Sequence, residues 1–553
     1  MRTPTRNEPH GRRRPVGIAA IAFAAAALTT FTALAPPAGA AAPPTQGASA
    51  ICPTTTDSGD FAPQAQLRKW NKAMDDFGVR TTGNRNHHRY VDWLQGRLGS
   101  VPGVDVRSLP YRFRRQTERS FSLQAELGGQ ERRLAAASAV PYSKGTGKRG
   151  VSAPLVYLPG ETEISAANAA GRIVVRDLPA RELQNSLFDF VDWFTYDPRG
   201  TFDPSGVYKR DWISGRADED MTAASAAGAA GVLFVHELPR EAIRGHYAPY
   251  HGVHWPIPAL HMGVDEGARI KQAVEAGTAQ DARIALSVRK EKRASTRMLI
   301  GRLSGPGERR VVVQTHSDGV NAVWDNGHVP ILAIARYFAS MARACRPGPM
   351  EFVFTTAHLY QRPTDAKGST DKYAERLDRA YDAGKVALVL ALEHLGAREW
   401  EAVPRGGSRP GLTIRRTGLN EPSTTFVTES EFLVDTLQEI LRSRNIERSL
   451  LLQGTTLPDE SQVPPWCSFG GEGTPYIQHL LPTVGFVTGP WTLFNPGYRM
   501  NELLDFKLLR EQSLMFNDFL LRLRDASQDA IAGRYTQYRA ERAAGKPTCF
   551  DVG

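Results

Sequence analysis

The stretch Val311-Val312-Val313-Gln314-Thr315-His316-Ser317-Asp318-Gly319-Val320-Asn321-Ala322-Val323-Trp324-Asp325-Asn326-Gly327 governs how the rest of the chain is read. A β-branched run ends in a His and an Asp, and Ile331, Ile334, Ala335, Phe338 and Met341 then recur at helical spacing. That is a strand, a polar turn and a helix. Working outward, the apolar runs 298–303, 351–356, 386–393 and 483–488 predict further strands, with helices near 429–444 and 502–525. The alternation predicts an α/β fold: a mostly parallel sheet with helices on both faces. Ligands of such sheets bind outside the carboxyl ends of the strands. His316 and Asp318 lie at such an end and offer donors suited to a divalent metal.

Other chemistry-bearing residues fall at comparable places. Phe354-Thr355-Thr356-Ala357-His358-Leu359 and Glu393-His394 both close predicted strands. Glu472 stands in Gly470-Gly471-Glu472-Gly473-Thr474-Pro475 and is a candidate to line the same pocket. This is no phosphate loop, since no Lys-Ser/Thr follows. Asn495 and Arg499 are candidates for contacts to polar substrate groups. His246, His251 and His254 crowd one loop with Trp255, and a polar, mobile loop is preferred there over a metal site. No G-x-S-x-G elbow occurs, and Asp192, Asp197 and Asp203 form no defensible glycosidase pair.

The 553-residue chain carries a formal charge of +10. Its first 40 residues hold five Arg and one Glu, so +6 remains beyond them. Arg12-Arg13-Arg14, the apolar run Val16–Leu34 and Ala38-Gly39-Ala40 predict an export signal over 1–40, cleaved after Ala40. No later segment is long and apolar enough to span a membrane, so no anchor is expected after cleavage. The basic residues are scattered, which argues against a nucleic-acid partner. Cys52, Cys345, Cys467 and Cys549 make an even count in an exported chain and predict two disulfides. Of the three pairings, Cys52–Cys549 with Cys345–Cys467 is favoured.

Residues 41–60, rich in Ala, Pro, Thr and Ser, read as a flexible leader. Two helices are expected over Leu67–Leu98, broken at Gly78-Val79-Arg80-Thr81-Thr82-Gly83-Asn84 and followed by a strand pair at 104–106 and 111–113. Residues 150–295 form a separate α/β unit. It contains strands 171–176 and 231–235, a small-residue helix over Met221–Ala230 and a Pro-marked strand Ile257–Met262. The flanking segments 61–149 and 296–545 then make one discontinuous domain.

The 296–525 region resembles the zinc peptidase family of aminopeptidases, glutamate carboxypeptidases and glutaminyl cyclases. Phe77-Gly78-Val79-Arg80-Thr81-Thr82-Gly83 resembles its R-x-x-G opening, and 150–295 resembles the protease-associated (PA) domain often inserted in it. The resemblance implies a site built for two metal ions. His316 matches the first ligand, Asp318 the residue that orients it, and Asp325 the bridging carboxylate. Glu393 takes the place of another Asp ligand. Where the family has paired glutamates, this chain has His358 at the general-base position and Leu359 at the ligand position. Asn495 replaces a late His ligand. The implied site is therefore one zinc ion on His316, Asp325 and Glu393. Asp318 stands behind His316, and His358 serves as base or as a further ligand; His394, Glu472, Asn495 and Trp324 line the site. The implied function is a secreted metal-dependent hydrolase of extracellular peptides or related amides. A binding protein on the same fold is the alternative, with Trp324 filling the cleft. Hydrolysis of a non-peptide substrate is a second alternative.

Overall fold

The computed structural model describes residues 52–210, 216–249, 254–359, 368–454, 460–465, 467 and 470–549. The predicted signal, residues 41–51 of the predicted leader, and His251 lie outside the described residues. The remainder of that leader is tied down rather than flexible. The Thr56 backbone N–H donates to Asp518 Oδ1 (2.7 Å), and Asn517 Nδ2 donates to Thr56 Oγ1 (2.7 Å). Composition suggested a loose tether, but Thr56 is buried and finds its partners on the helix Phe506–Arg522.

Four parallel neighbours make the centre of the sheet, in the order Met350–Thr355, Arg310–His316, Val386–Leu392 and Thr483–Thr488. Every residue of Val386–Leu392 is buried, as a strand covered on both faces requires. Ser423–Val427 pairs antiparallel to Thr483–Thr488 and parallel to Ser449–Leu452. The helix His328–Ser340 begins just after the opening motif, and ten of its residues are buried. Glu431–Arg444 starts where Ser430 accepts the Leu433 N–H and stops at Asn445, in the left-handed region at φ 50°.

The predicted strand pair at 104–113 is instead one strand, Val104–Leu127, paired antiparallel along Ala279–Leu303. At Pro110 the strand pairs on one side only, where a missing N–H is tolerated. Ala279–Leu303 also pairs antiparallel with Val151–Leu158 and with Met350–Thr355, so the sheet runs on without interruption. On its far side Val151–Leu158, Ile173–Leu178, Gly231–His236 and Ala259–Met262 lie parallel, covered by the helices Arg216–Ala226 and Val264–Glu275. Asp192–Tyr196, from the same stretch of chain, crosses to the opposite edge and pairs with Ser449–Leu452. This excursion brings residues 183–208 over the strand ends that carry the site. No helix among the described residues is long and apolar enough to cross a membrane.

The disulfides are Cys52–Cys345 and Cys467–Cys549, each with Cα atoms 5.2 Å apart. The pairing expected from the sequence is overturned. The segment around Thr56 runs beside the Phe506–Arg522 helix and meets Cys345, while the chain end returns to Val463. Peptide mapping without reduction is expected to recover these two pairs; a Cys52–Cys549 peptide would refute them.

Candidate metal centre

His316 ends one strand, His358 follows the neighbouring strand, and Glu393-His394 follow the neighbour on the other side. Parallel register delivers all four to one carboxyl edge. Two turns there are unusual. Ala357 and His394 both sit at positive φ (65° and 59°), conformations that cost non-glycine residues free energy and cluster at functional sites.

Ligand atoms of His316, His358 and Glu393 come within 4.8 Å of one another. His316 Nδ1 donates to the Asp318 carbonyl oxygen (2.8 Å), which turns Nε2 toward Glu393. That Nε2 is buried and stands 3.3 Å from Glu393 Oε2, its partner in the metal-free protein. A zinc tetrahedron with 2.0–2.1 Å bonds has an edge of about 3.3 Å. Glu393 Oε1 is occupied, accepting the Glu472 N–H at 2.9 Å. His358 Nδ1 lies 2.5 Å from Glu472 Oε1, and its ring stacks on His316 with centroids 4.2 Å apart. Each of the three groups is thus held by a second partner, as ligands of a metal ion are held. The imidazole and carboxylate donor set fits zinc, which would take the place of the proton that His316 Nε2 shares with Glu393.

Glu472 is the hub of this support. It also accepts from Gln314 Nε2 (2.6 Å), Thr355 Oγ1 (3.1 Å) and Thr370 Oγ1 (3.2 Å). Gly471 makes the approach possible: it adopts φ +69°, and a Cβ there would fall 1.8 Å from Glu393 Oε1. His394 completes the group. Its Nδ1 donates to the Thr488 carbonyl (2.7 Å), and its Nε2 lies 3.5 Å from Glu393 Oε2.

Burial opposes charge on His316, yet Glu393 against it and the charges of Glu472 and Asp318 raise its pKa to about 9. Glu393 is pushed up by burial but ends below the ordinary carboxylate range because three imidazoles face it. His394 is lowered, chiefly by burial, and is neutral near pH 7. A histidine raised in the folded state stabilises fully below its unfolded pKa near 6.5, and that stability disappears as pH climbs through about 9. The metal-free protein is therefore expected to lose on the order of 3 kcal/mol between pH 6.5 and 9. Urea unfolding across that window checks this; a flat profile would contradict it.

Other expected residues stand elsewhere. Asp325 is not among the converging ligands. Its carboxylate is gripped by Arg80, Nε to Oδ2 at 2.9 Å and Nη2 to Oδ1 at 2.5 Å, with both side chains fully buried. Asp318 orients His316 through its backbone carbonyl, while its carboxylate lies 3.8 Å away and accepts the Leu359 N–H (2.9 Å) and the Thr82 hydroxyl. Trp324 is core, stacked on Phe494 at 4.7 Å, and does not fill the site. Leu359 is fully buried. Asn495 faces away, its Oδ1 2.9 Å from His246 Nδ1. Arg80 and Thr82 carried no sequence signal beyond the loop motif that contains them.

A cavity of about 580 Å³ opens on His358, Glu393 and His394. Its walls are mainly apolar, with Phe188, Phe202, Tyr208, Phe426, Leu450 and Leu493 prominent.

The chain has the fold of the zinc aminopeptidases. The zinc aminopeptidase from Bacillus subtilis superposes with a TM-score of 0.55 at 14% identity, over 84% of this chain and 96% of its own. The aminopeptidase from Aneurinibacillus sp. strain AM-1 does so at 0.52 and 14%, over 83% and 93%. The peptidase M28 precursor from Shewanella amazonensis gives 0.57 and 12%, over 84% and 97%. No family model and no curated protein matches the sequence.

Proposed function

We propose that this protein is an exported metal-dependent hydrolase of peptide or related amide bonds, working with one zinc ion held by His316, His358 and Glu393. The observation that carries the reading is the convergence of three ligand atoms, each braced from behind, beneath a substrate-sized cavity. When bound there, zinc supplies Lewis acidity to a scissile carbonyl. His394 is the general base: its Nδ1–H is fixed by Thr488, so its free Nε2 receives the proton of the attacking water. His358, expected from the sequence to be that base, is read as a ligand because Glu472 holds its Nδ1. The apolar cavity takes a bulky apolar side chain next to the cleaved bond. We read residues 150–295 as a PA-like unit whose excursion supplies Phe188, Phe202 and Tyr208 to the cavity wall. Two disulfides suit an oxidising, extracellular compartment.

A metal-free binding protein is the second reading, favoured by Leu359 and Asn495 at positions where the resemblance calls for ligands. Metal analysis after zinc dialysis separates the two. The hydrolase reading expects the wild type to hydrolyse aminoacyl and peptidyl amides of Phe and Leu, and His316→Ala to lose that activity and one zinc ion per chain. A wild-type protein that takes up no zinc, or activity that survives His316→Ala, sinks it.

A further inference from the structure

A second cluster of imidazoles lies outside this centre. His236 ends the strand Gly231–His236, His261 lies in the adjacent parallel strand, and His246 comes from the loop between them. Register places His261 beside Phe234, and residues two apart share a face, so His236 and His261 point to the same side of the sheet. All three are 2–4% exposed. Their ring centroids are 4.9–5.0 Å apart, and the rings meet edge to face rather than stacked. A ring nitrogen of each lies within 4.8 Å of the others, with His236 Nε2 and His261 Nδ1 only 2.9 Å apart.

A single buried histidine is ordinary; three that turn nitrogens toward one point are not. Each neutral ring has one donor and one lone pair, so His236 Nε2 and His261 Nδ1 share a hydrogen bond in the metal-free protein, and a change of tautomer turns both lone pairs to an ion. No carboxylate forms an ion pair with any of them among the described residues, so the rings are not a protonated, charge-paired group. His246 Nδ1 meets Asn495 Oδ1 at 2.9 Å, the outer hydrogen bond that fixes the tautomer of a coordinating histidine and leaves Nε2 with the lone pair. The Asn495 amide is fully buried, and its Nδ2 has no partner among the described residues, so it is held here by His246 alone.

We propose that His236, His246 and His261 bind a divalent transition-metal ion of the zinc class at a second site, separate from the His316 centre. An all-imidazole donor set suits zinc, copper or nickel and disfavours magnesium and calcium. The ion pins the 237–249 loop to the ends of two strands, and through Asn495 to the segment that carries Phe494. That loop reaches the hydrolytic centre: the Tyr247 N–H donates to the Phe494 carbonyl (3.0 Å), and Tyr247 Oη donates to the carbonyl of Leu359, next to His358 (3.3 Å). The second ion is thus a structural brace beneath one wall of the site.

The test uses the mature protein, stripped with chelator and titrated with zinc. His316→Gln, which disables the first centre, is expected to retain one zinc per chain and to melt at a higher temperature with zinc than without. His316→Gln/His261→Gln is expected to bind none. X-ray absorption of zinc-loaded His316→Gln should report an imidazole-dominated shell near 2.0 Å. Folded His316→Gln that takes up no zinc, or a shell dominated by water or carboxylate oxygen, overturns the proposal. Should the double variant fail to fold, the uptake and absorption spectrum of His316→Gln alone decide the matter. Activity that survives His316→Gln while this second ion is retained would count against the first centre only.

Discussion

Arg80→Ala is expected to cost the folded chain about 3–5 kcal/mol, among the largest effects of any single substitution outside the apolar core. Both partners of the Arg80–Asp325 pair are fully buried, so the change strands a carboxylate where water cannot reach it. Burial alone pushes Asp325 up, and it is Arg80 that brings its pKa below the ordinary value. Arg80 also donates through Nη2 to the Asn321 carbonyl (2.7 Å), so one guanidinium holds the turn after Asp318 in shape. Replacing both charges, as in Arg80→Met/Asp325→Leu, should recover much of the loss, because burying an ion pair costs desolvation that apolar groups avoid. Urea denaturation measures all three proteins. A loss below about 1 kcal/mol for Arg80→Ala would mean the pair is not buried as described. Asp325→Asn gives a sharper reading of the site: zinc content should stay at the wild-type level, whereas a bridging or terminal ligand at 325 would make it fall.

His394→Ala is expected to lower kcat by about 10²–10⁴-fold while leaving zinc bound at the His316 centre. Glu393→Gln, in contrast, should remove that zinc and hydrolysis together, since its Oε2 is one of the three converging donors. The pair of variants separates proton transfer from metal binding. Because the His394 pKa is lowered, the acid limb of kcat/KM should lie below pH 6.5 in the wild type and vanish in His394→Ala. If His394→Ala retains full kcat, or loses zinc as Glu393→Gln does, the base lies elsewhere.

The assignment of His394 rests on backbone detail. Its positive φ turns the chain sharply after Val386–Leu392, so that Glu393 and His394 both reach the site. Neighbours in an extended strand would point to opposite faces. The Glu393-His394 pair is therefore legible in the sequence, but how its two members divide the work is not.

What the sequence alone determined about this protein is local and periodic. Strand runs such as Val386–Leu392 and the apolar spacing of His328–Ser340 announce the α/β layers. The placing of His316, His358 and Glu393 at the ends of such strands identifies the working edge of the sheet. Those signals survive because side-chain period and burial are imposed within a few residues. What only the tertiary structure decided are pairings across long separations. Arg80 meets Asp325 across 245 residues, and Glu472 meets Glu393 across 79. Cys52 meets Cys345 across 293 residues, and His246 meets Asn495 across 249. No local pattern encodes such partners. A buried charge or imidazole requires a counterpart, and which one it receives depends on how the layers pack. The same packing paired Asp325 with Arg80, made Glu472 the hub of the centre, and gathered His236, His246 and His261 together.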